Sequence, residues 1–380
     1  MKQVVALIVL LAVAGPSGAR TWSVEQDGSG DWVTIQEAVD ASASGDTILI
    51  AAGRYSELHL VPGMVTTMSV AHLLEAKDLT VIGEGPGETI IGPESLNEDC
   101  SVFFFDATSA LVMSDIQIVN AHSGVWAYGD VELRNCTVDG CLIGVWVDSG
   151  DVWVSDCHFL PPFPAPITTN AMAINYSPNL LIERCHIENL EIYISGVTSS
   201  TVRDCVFEHP LGNNATDSAY YVSSNGVFER NRTDGRVVCN GGSHVVLRDN
   251  EFLAGISDVK LYLSESSTEA EIYDNVFHGG SFSTFWLGSA PSLFGTGNHI
   301  LNSGSEYSVK LKYYGDYNNN PVVDLRGNYW GTDDPAQIDA WIYDIHDDPD
   351  EDTEVLYQPF SDVPLPADKE SIGGFKSLYR

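Results

Sequence analysis

A short pattern returns nine times along this chain, at Cys136, Cys157, Cys185, Cys205, Asn231, Asn250, Asn275, Asn298 and Asn328. Segments such as VELRNCTV, VWVSDCHF, LLIERCHI, VVLRDNEF and EAEIYDNVF alternate apolar with other residues, reach Asp, Arg or Asn, place the Cys or Asn, and resume with an apolar residue. Successive repeats lie 19 to 30 residues apart. A fixed motif at a variable interval of this size marks a solenoid whose coils carry loops of different length. Between the motifs the segments are short, β-branched and alternating, with Gly, Asn, Asp or Ser at the bends. The pattern predicts an all-β fold, a right-handed parallel β-helix of about ten coils with three strands each, because parallel crossovers are almost always right-handed.

One Cys or Asn per coil at the same bend is expected to point inward and stack on its copies, Asn through amide hydrogen bonds and Cys as a small buried hydrophobe. Zinc does not fit these cysteines: no C-x-x-C pair exists, and one ligand per coil makes a row, not a tetrahedron. The same spacing predicts free thiols, since coils stack at about 4.8 Å while a disulfide needs Cβ atoms about 3.8 Å apart. At the start of the chain, Thr34-Ile35-Gln36-Glu37 is a capping box opening a short helix. Its Ile35, Ala38 and Val39 share a face that can cover the first coil, as solenoid ends require.

Lys2, an apolar run from Val4 to Val13 and Ser17-Gly18-Ala19 form the pattern of a secretory signal over residues 1–19. Export follows, to a secreted, periplasmic or cell-surface location, with the β-helix over 20–360 and an exposed tail over 361–380. The apolar run is shorter than the ~20 residues of a spanning helix, so membrane insertion is not expected. The formal charge of −35 argues against nucleic acid as a partner, because phosphates need a basic footprint.

The stretches DGSGDWVTIQEAVDASASGDTILIAAGRYSE, 27–57, and LTVIGEGPGETIIG, 79–92, resemble the opening segment of pectin methylesterases and the wider pectate-lyase-like β-helix superfamily. The resemblance implies the fold, and a methylesterase activity that the next segment does not support. Where the family carries its Gln and acid Asp, this chain has Leu142 and Ile143, and the motif with the nucleophilic Asp is replaced by LPPFPAPITTN. Ester hydrolysis of that type needs one carboxylate to attack and another to trade protons. Methylesterase activity is therefore not expected. The far end, from GNYWGTDDPAQ onward, resembles the closing segment of bacterial β-helix repeat proteins, with Tyr329 and Trp330 expected to plug the last coil. No cofactor is expected; the carboxylates of Asp344 to Asp352 raise calcium, but without the Gly and spacing of an EF-hand loop they read as a solvated acidic loop.

Alternation also assigns an outward stripe on one sheet. Its first column reads Trp126, Trp146, Ala173, Tyr193, Tyr221, Val238, Lys260, Trp286 and Lys310. A second column reads Tyr128, Asp148, Asn175, Ser195, Ser223, Asn240, Tyr262, Gly288 and Lys312. Sugar rings pack C–H faces on aromatic rings while their hydroxyls pair with Asn, Ser and Asp. Three of the chain's seven lysines fall on the stripe and would favour a carboxylated sugar. The leading expectation is an exported β-helix that binds an acidic, pectin-like polysaccharide, with catalysis left open. A polysaccharide lyase or glycoside hydrolase, and a structural cell-envelope protein that binds another protein, stand as alternatives.

Overall fold

The computed structural model describes residues 18–105, 109–162, 169–210, 217–254, 257–302, 304–312, 321–351 and 353–364. Nearly all of the expected signal segment, most of the proline-rich insertion and the tail beyond residue 364 lie outside the described residues. The chain winds through three sheets in turn: sheet A with 14 strands, sheet B with 11 and sheet C with 13. One coil runs Asp130–Arg134 on sheet A, Thr137–Asp139 on sheet B and Ile143–Asp148 on sheet C, and returns to sheet A at Val152–Ser155. Successive coils pair in parallel, Val131 beside Val152, Thr137 beside His158 and Trp126 beside Trp146. Sheet B thus counts about eleven turns of right-handed β-helix, one more than the repeat implied.

The bend between sheets A and B explains the motif. The residue before each Cys or Asn is left-handed, with φ of 49° at Asn135, 56° at Asp156, 56° at Asp204, 57° at Asp249 and 54° at Asp274. Asn and Asp accept that conformation better than other side chains. Arg184 and Arg230 take it as well, at 53° each. Both guanidiniums grip the left-handed Asp of the preceding coil in a two-pronged pair, Arg184 on Asp156 at 2.8 and 2.8 Å and Arg230 on Asp204 at 2.8 and 2.9 Å.

Inside the bend, Cys136, Cys157, Cys185 and Cys205 are buried free thiols. Each donates to the carbonyl two residues earlier in its own coil, at 3.2 to 3.4 Å. Burial pushes the Cys157 and Cys205 thiols well above their ordinary range. Cys136, Cys185 and Cys205 also reach a carbonyl of the preceding coil at 3.8 to 3.9 Å, and from Asn231 onward the same position makes short amide bonds between coils. Asn275 accepts from the Asn250 N–H at 3.0 Å and the Asn250 amide at 2.8 Å, and donates to Leu247 O at 2.9 Å and Asn298 Oδ1 at 2.9 Å. Phe207, Phe228, Phe252 and Phe277 run beside this ladder as an aromatic spine of the core.

Both ends are covered. Helix α1, Ile35–Ala41, opens with the expected capping box and buries Ile35, Gln36, Ala38 and Val39. Helix α2, Pro335–Asp339, follows Trp330, which is fully buried, its ring 6.3 Å from that of Tyr357. In the acidic loop, Asp344 is buried and both its oxygens are taken by backbone N–H groups, of His346 at 2.9 Å and Val355 at 2.8 Å. That carboxylate shapes a turn.

Candidate functional site

The outer face of sheet C carries the side chains that alternation assigned, with corrections. The paired register gives the first column as Phe104, Trp126, Trp146, Ala173, Tyr193, Tyr220, Val238, Tyr262, Trp286, Lys310 and Tyr343. Tyr221 is not on it: the strand Asp217–Val222 contains a register irregularity, which turns Tyr220 outward and Tyr221 into the core at 0% exposure. Lys260 is not on it either, because the stripe passes through Tyr262, two residues later. The Lys260 side chain is buried and donates to Asp234 O at 2.9 Å, and burial lowers its pKa to about 8. Tyr262 accordingly moves from the second column to the first, and Val222 replaces Ser223 beside Asn240. Tyr128, Asp148, Asn175, Asn240, Lys310 and Lys312 are all partly exposed on the sheet.

The aromatic residues form separate clusters. Trp126 and Trp146 stack at 4.9 Å and 9°, with Phe104 edge-on to Trp126 at 5.3 Å. The stack stops at the next coil, where the column holds only Ala173. One coil further, Tyr193 and Tyr220 lie 5.8 Å apart. With coils spaced by about 4.8 Å, the strand positions of Trp146 and Tyr193 stand about 10 Å apart across Ala173, enough for one flat ring between two aromatic walls. Below this slot, the Asn175 amide donates to Asp148 at 2.8 Å. The indole N–H groups of Trp126, Trp146 and Trp286 have no acceptor among the described residues. Toward the C-terminus Lys310 is boxed by rings, its ammonium 3.5 Å from the Tyr343 centroid and 4.3 Å from that of Tyr307. Burial lowers its pKa.

The column alone misses a polar cluster at the entrance of the middle strands. Glu191, Asp217 and Arg236 begin the consecutive strands Glu191–Ser195, Asp217–Val222 and Arg236–Asn240. Arg236 holds Asp217 through Nε at 2.5 Å and a second nitrogen at 3.1 Å, and its guanidinium lies 5.8 Å from the Tyr262 ring. Burial, reinforced by the Asp217 charge and opposed by Arg236, raises the Glu191 pKa to about 7. Asn240 donates to the Tyr220 hydroxyl at 3.0 Å, and burial raises that phenol's pKa. A carboxyl that is half protonated near neutrality, next to a paired carboxylate and among tyrosines, can give or take a proton beside a bound sugar. Strand-opening charges follow turns of variable length, so the alternation that located the stripe could not index them. The sequence signal was a charged residue directly preceding an alternating run, as in EIYIS and RVVCN.

Residues 101–234 match the family model described as a right handed beta helix region. No curated protein matches the chain in sequence. Among solved structures, the chain is similar at 9% identity and a TM-score of 0.37 to a mannuronic acid specific polysaccharide family 6 lyase enzyme from human gut microbiota, over 93% of this chain and 94% of that one. The match over residues 101–234 and the coil-by-coil pairing agree on the fold, a right-handed parallel β-helix.

Proposed function

We propose that this protein works outside the cytoplasm as a polysaccharide-binding β-helix, taking a uronate-containing chain along sheet C. The observation that carries the reading is the Trp126–Trp146 stack ending at Ala173 with Tyr193 beyond it, a sugar-sized slot beside the polar Asp148–Asn175 pair. A carboxylated sugar is favoured by Lys310 and Lys312 at one end of the face and Arg236 near its middle. These cations act locally despite the formal charge of −35, because surface fields decay within about 8 Å at physiological salt. A glycan array followed by calorimetry tests it. Ala173→Trp should fill the slot and abolish binding of the best array ligand with melting unchanged; undiminished binding by that variant would remove the slot from the reading.

A second reading, glycan cleavage, is favoured by Glu191. In a hydrolysis its carboxyl would protonate the departing glycosidic oxygen while a second carboxylate serves water or the sugar, the division of labour of glycosidases. Incubation with uronate polymers, scored for reducing ends and for the ultraviolet absorbance of unsaturated products, separates hydrolysis from elimination. Loss of product in Glu191→Gln with ligand binding retained is the expected outcome if the chain cuts. Methanol release from methylated pectin should stay at the blank.

A further inference from the structure

Away from the aromatic face, sheet B carries His158–Leu160, His186–Glu188 and Val206–Glu208 in consecutive coils. Register sets His158 beside His186, and Glu188 beside Glu208. The two imidazoles stack with centroids 4.7 Å apart and planes within 5°. Nε2 of His158 is 3.0 Å from Oε1 of Glu188, and Nδ1 of His186 is 3.9 Å from the same oxygen. All three donor atoms lie within 4.8 Å of one another. The remaining ring nitrogen of His186, Nε2, is 3.5 Å from Glu208.

We propose that His158, His186 and Glu188 form a site for a divalent cation of the zinc class that bridges two coils, with Glu208 orienting His186. Zinc bound tetrahedrally by imidazole and carboxylate at about 2.0–2.1 Å holds its donor atoms about 3.4 Å apart, and the two measured separations fall on either side of that value. Glu208 supplies an independent argument. A metal-bound histidine turns its other ring N–H to a carboxylate, which leaves the facing nitrogen with its lone pair free for the ion. Glu208 lies 3.5 Å from Nε2, near enough to take up the proton of that nitrogen when an ion is bound at Nδ1, the nitrogen that faces Glu188. Two imidazoles and one carboxylate suit zinc, cobalt, nickel or copper and not calcium or magnesium. Stacked rings cannot both aim their lone pairs at one ion, so binding tilts them apart about a soft torsion. Water can fill the fourth position, as in zinc sites with three protein ligands.

A second group, His244 with Glu269 and Glu271, offers one imidazole, and the side chains of His244 and Glu269 are 46% and 45% exposed. It serves as the control. Metal-stripped protein is titrated with zinc chloride by calorimetry, with calcium chloride as a parallel titrant and histidine ring resonances followed by NMR. One zinc equivalent is expected, with the ring signals of His158 and His186 moving together and no matching calcium binding. His158→Ala and His186→Ala should each lose that equivalent, while His244→Ala keeps it. Glu208→Gln should retain the stoichiometry and weaken affinity ten- to hundredfold. If an alanine variant shows altered circular dichroism, His158→Gln with a native spectrum replaces it. Absence of zinc binding overturns the proposal, as does an undiminished equivalent in folded His158 and His186 variants, which would mean adventitious surface binding only.

Discussion

Two columns of side chains climb this solenoid, one inside the bend between sheets A and B and one outside sheet C. The inner column uses two residue types over nine coils, Cys in four and Asn in five. The outer column changes from Trp to Ala, Tyr, Val and Lys within the same length. An inner residue must complement its own copy one coil away in a dry environment, whereas an outer residue answers to solvent and to whatever lies on the face. Within the inner column the Cys and Asn stretches differ again. Cysteine bonds its own coil and, at Cys136, Cys185 and Cys205, reaches the preceding coil only through long thiol contacts of 3.8 to 3.9 Å, while asparagine ties each coil to the next through backbone and side chain. Uniformity therefore marks where stability is held, and variety marks where recognition is expected.

Breaking the ladder should have the largest effect. Asn275→Leu removes the acceptor of the Asn250 N–H and of one Asn250 amide hydrogen and takes the side-chain donor from Leu247 O and Asn298 Oδ1, so a loss of about 3 kcal/mol in urea unfolding is expected. A loss under about 1 kcal/mol would show that the amides add nothing over shape. Next come two versions of one exchange. Cys157→Asn puts an amide between thiols and should cost about 1–3 kcal/mol. Cys205→Asn lies beside Asn231, whose Oδ1 already accepts the Cys205 N–H at 2.9 Å, and should extend the ladder at little cost. Equal losses in the two would erase the distinction between the stretches.

The outer column should respond to pH. Glu191 has a folded pKa of about 7 against an ordinary value of 4.5, so its protonated form favours the fold. Its stabilising contribution is complete below about 4.5 and disappears as pH rises through about 7, a change of at most about 3 kcal/mol that Glu191→Gln should flatten. A wild-type profile identical to that of the variant would place this carboxyl in water. Trp146→Ala should change stability least, by under about 1 kcal/mol, yet weaken the best array ligand five- to hundredfold. A melting loss without a binding loss would assign the indole stack to structure.

The bends made the fold legible: the residue before each Cys or Asn, most often Asp or Asn, takes a left-handed turn followed by an inward side chain, and that geometry repeats whatever the loops do. The capping box was legible for the same reason, since all its partners are local. The face was legible only where strands run without interruption. Trp126, Trp146, Tyr193 and Trp286 fell correctly, but Tyr220-Tyr221 offers two identical rings, and the irregularity after Asp217 reversed which one points out. Lys260 shares the outward parity of Tyr262 yet sits at the start of its strand, Val259–Ser264, where it is covered. Glu191, Asp217 and Arg236 meet only because three turns of different length deliver them to adjacent strand ends.

The ladder also has a polarity. Asn250, Asn275 and Asn298 each turn the carbonyl oxygen to the coil before and donate an amide hydrogen to the coil after, so these side-chain dipoles align along the axis and polarise one another. An aligned array of this kind would propagate into any coil set on its end, as a growing filament adds units. At Asn328 the series terminates: the amide is spent on Gly295 O at 2.9 Å and on Leu325 O of its own coil at 2.7 Å. The side-chain amide of the final rung is thus turned back into the rod, and amide-to-amide propagation stops there.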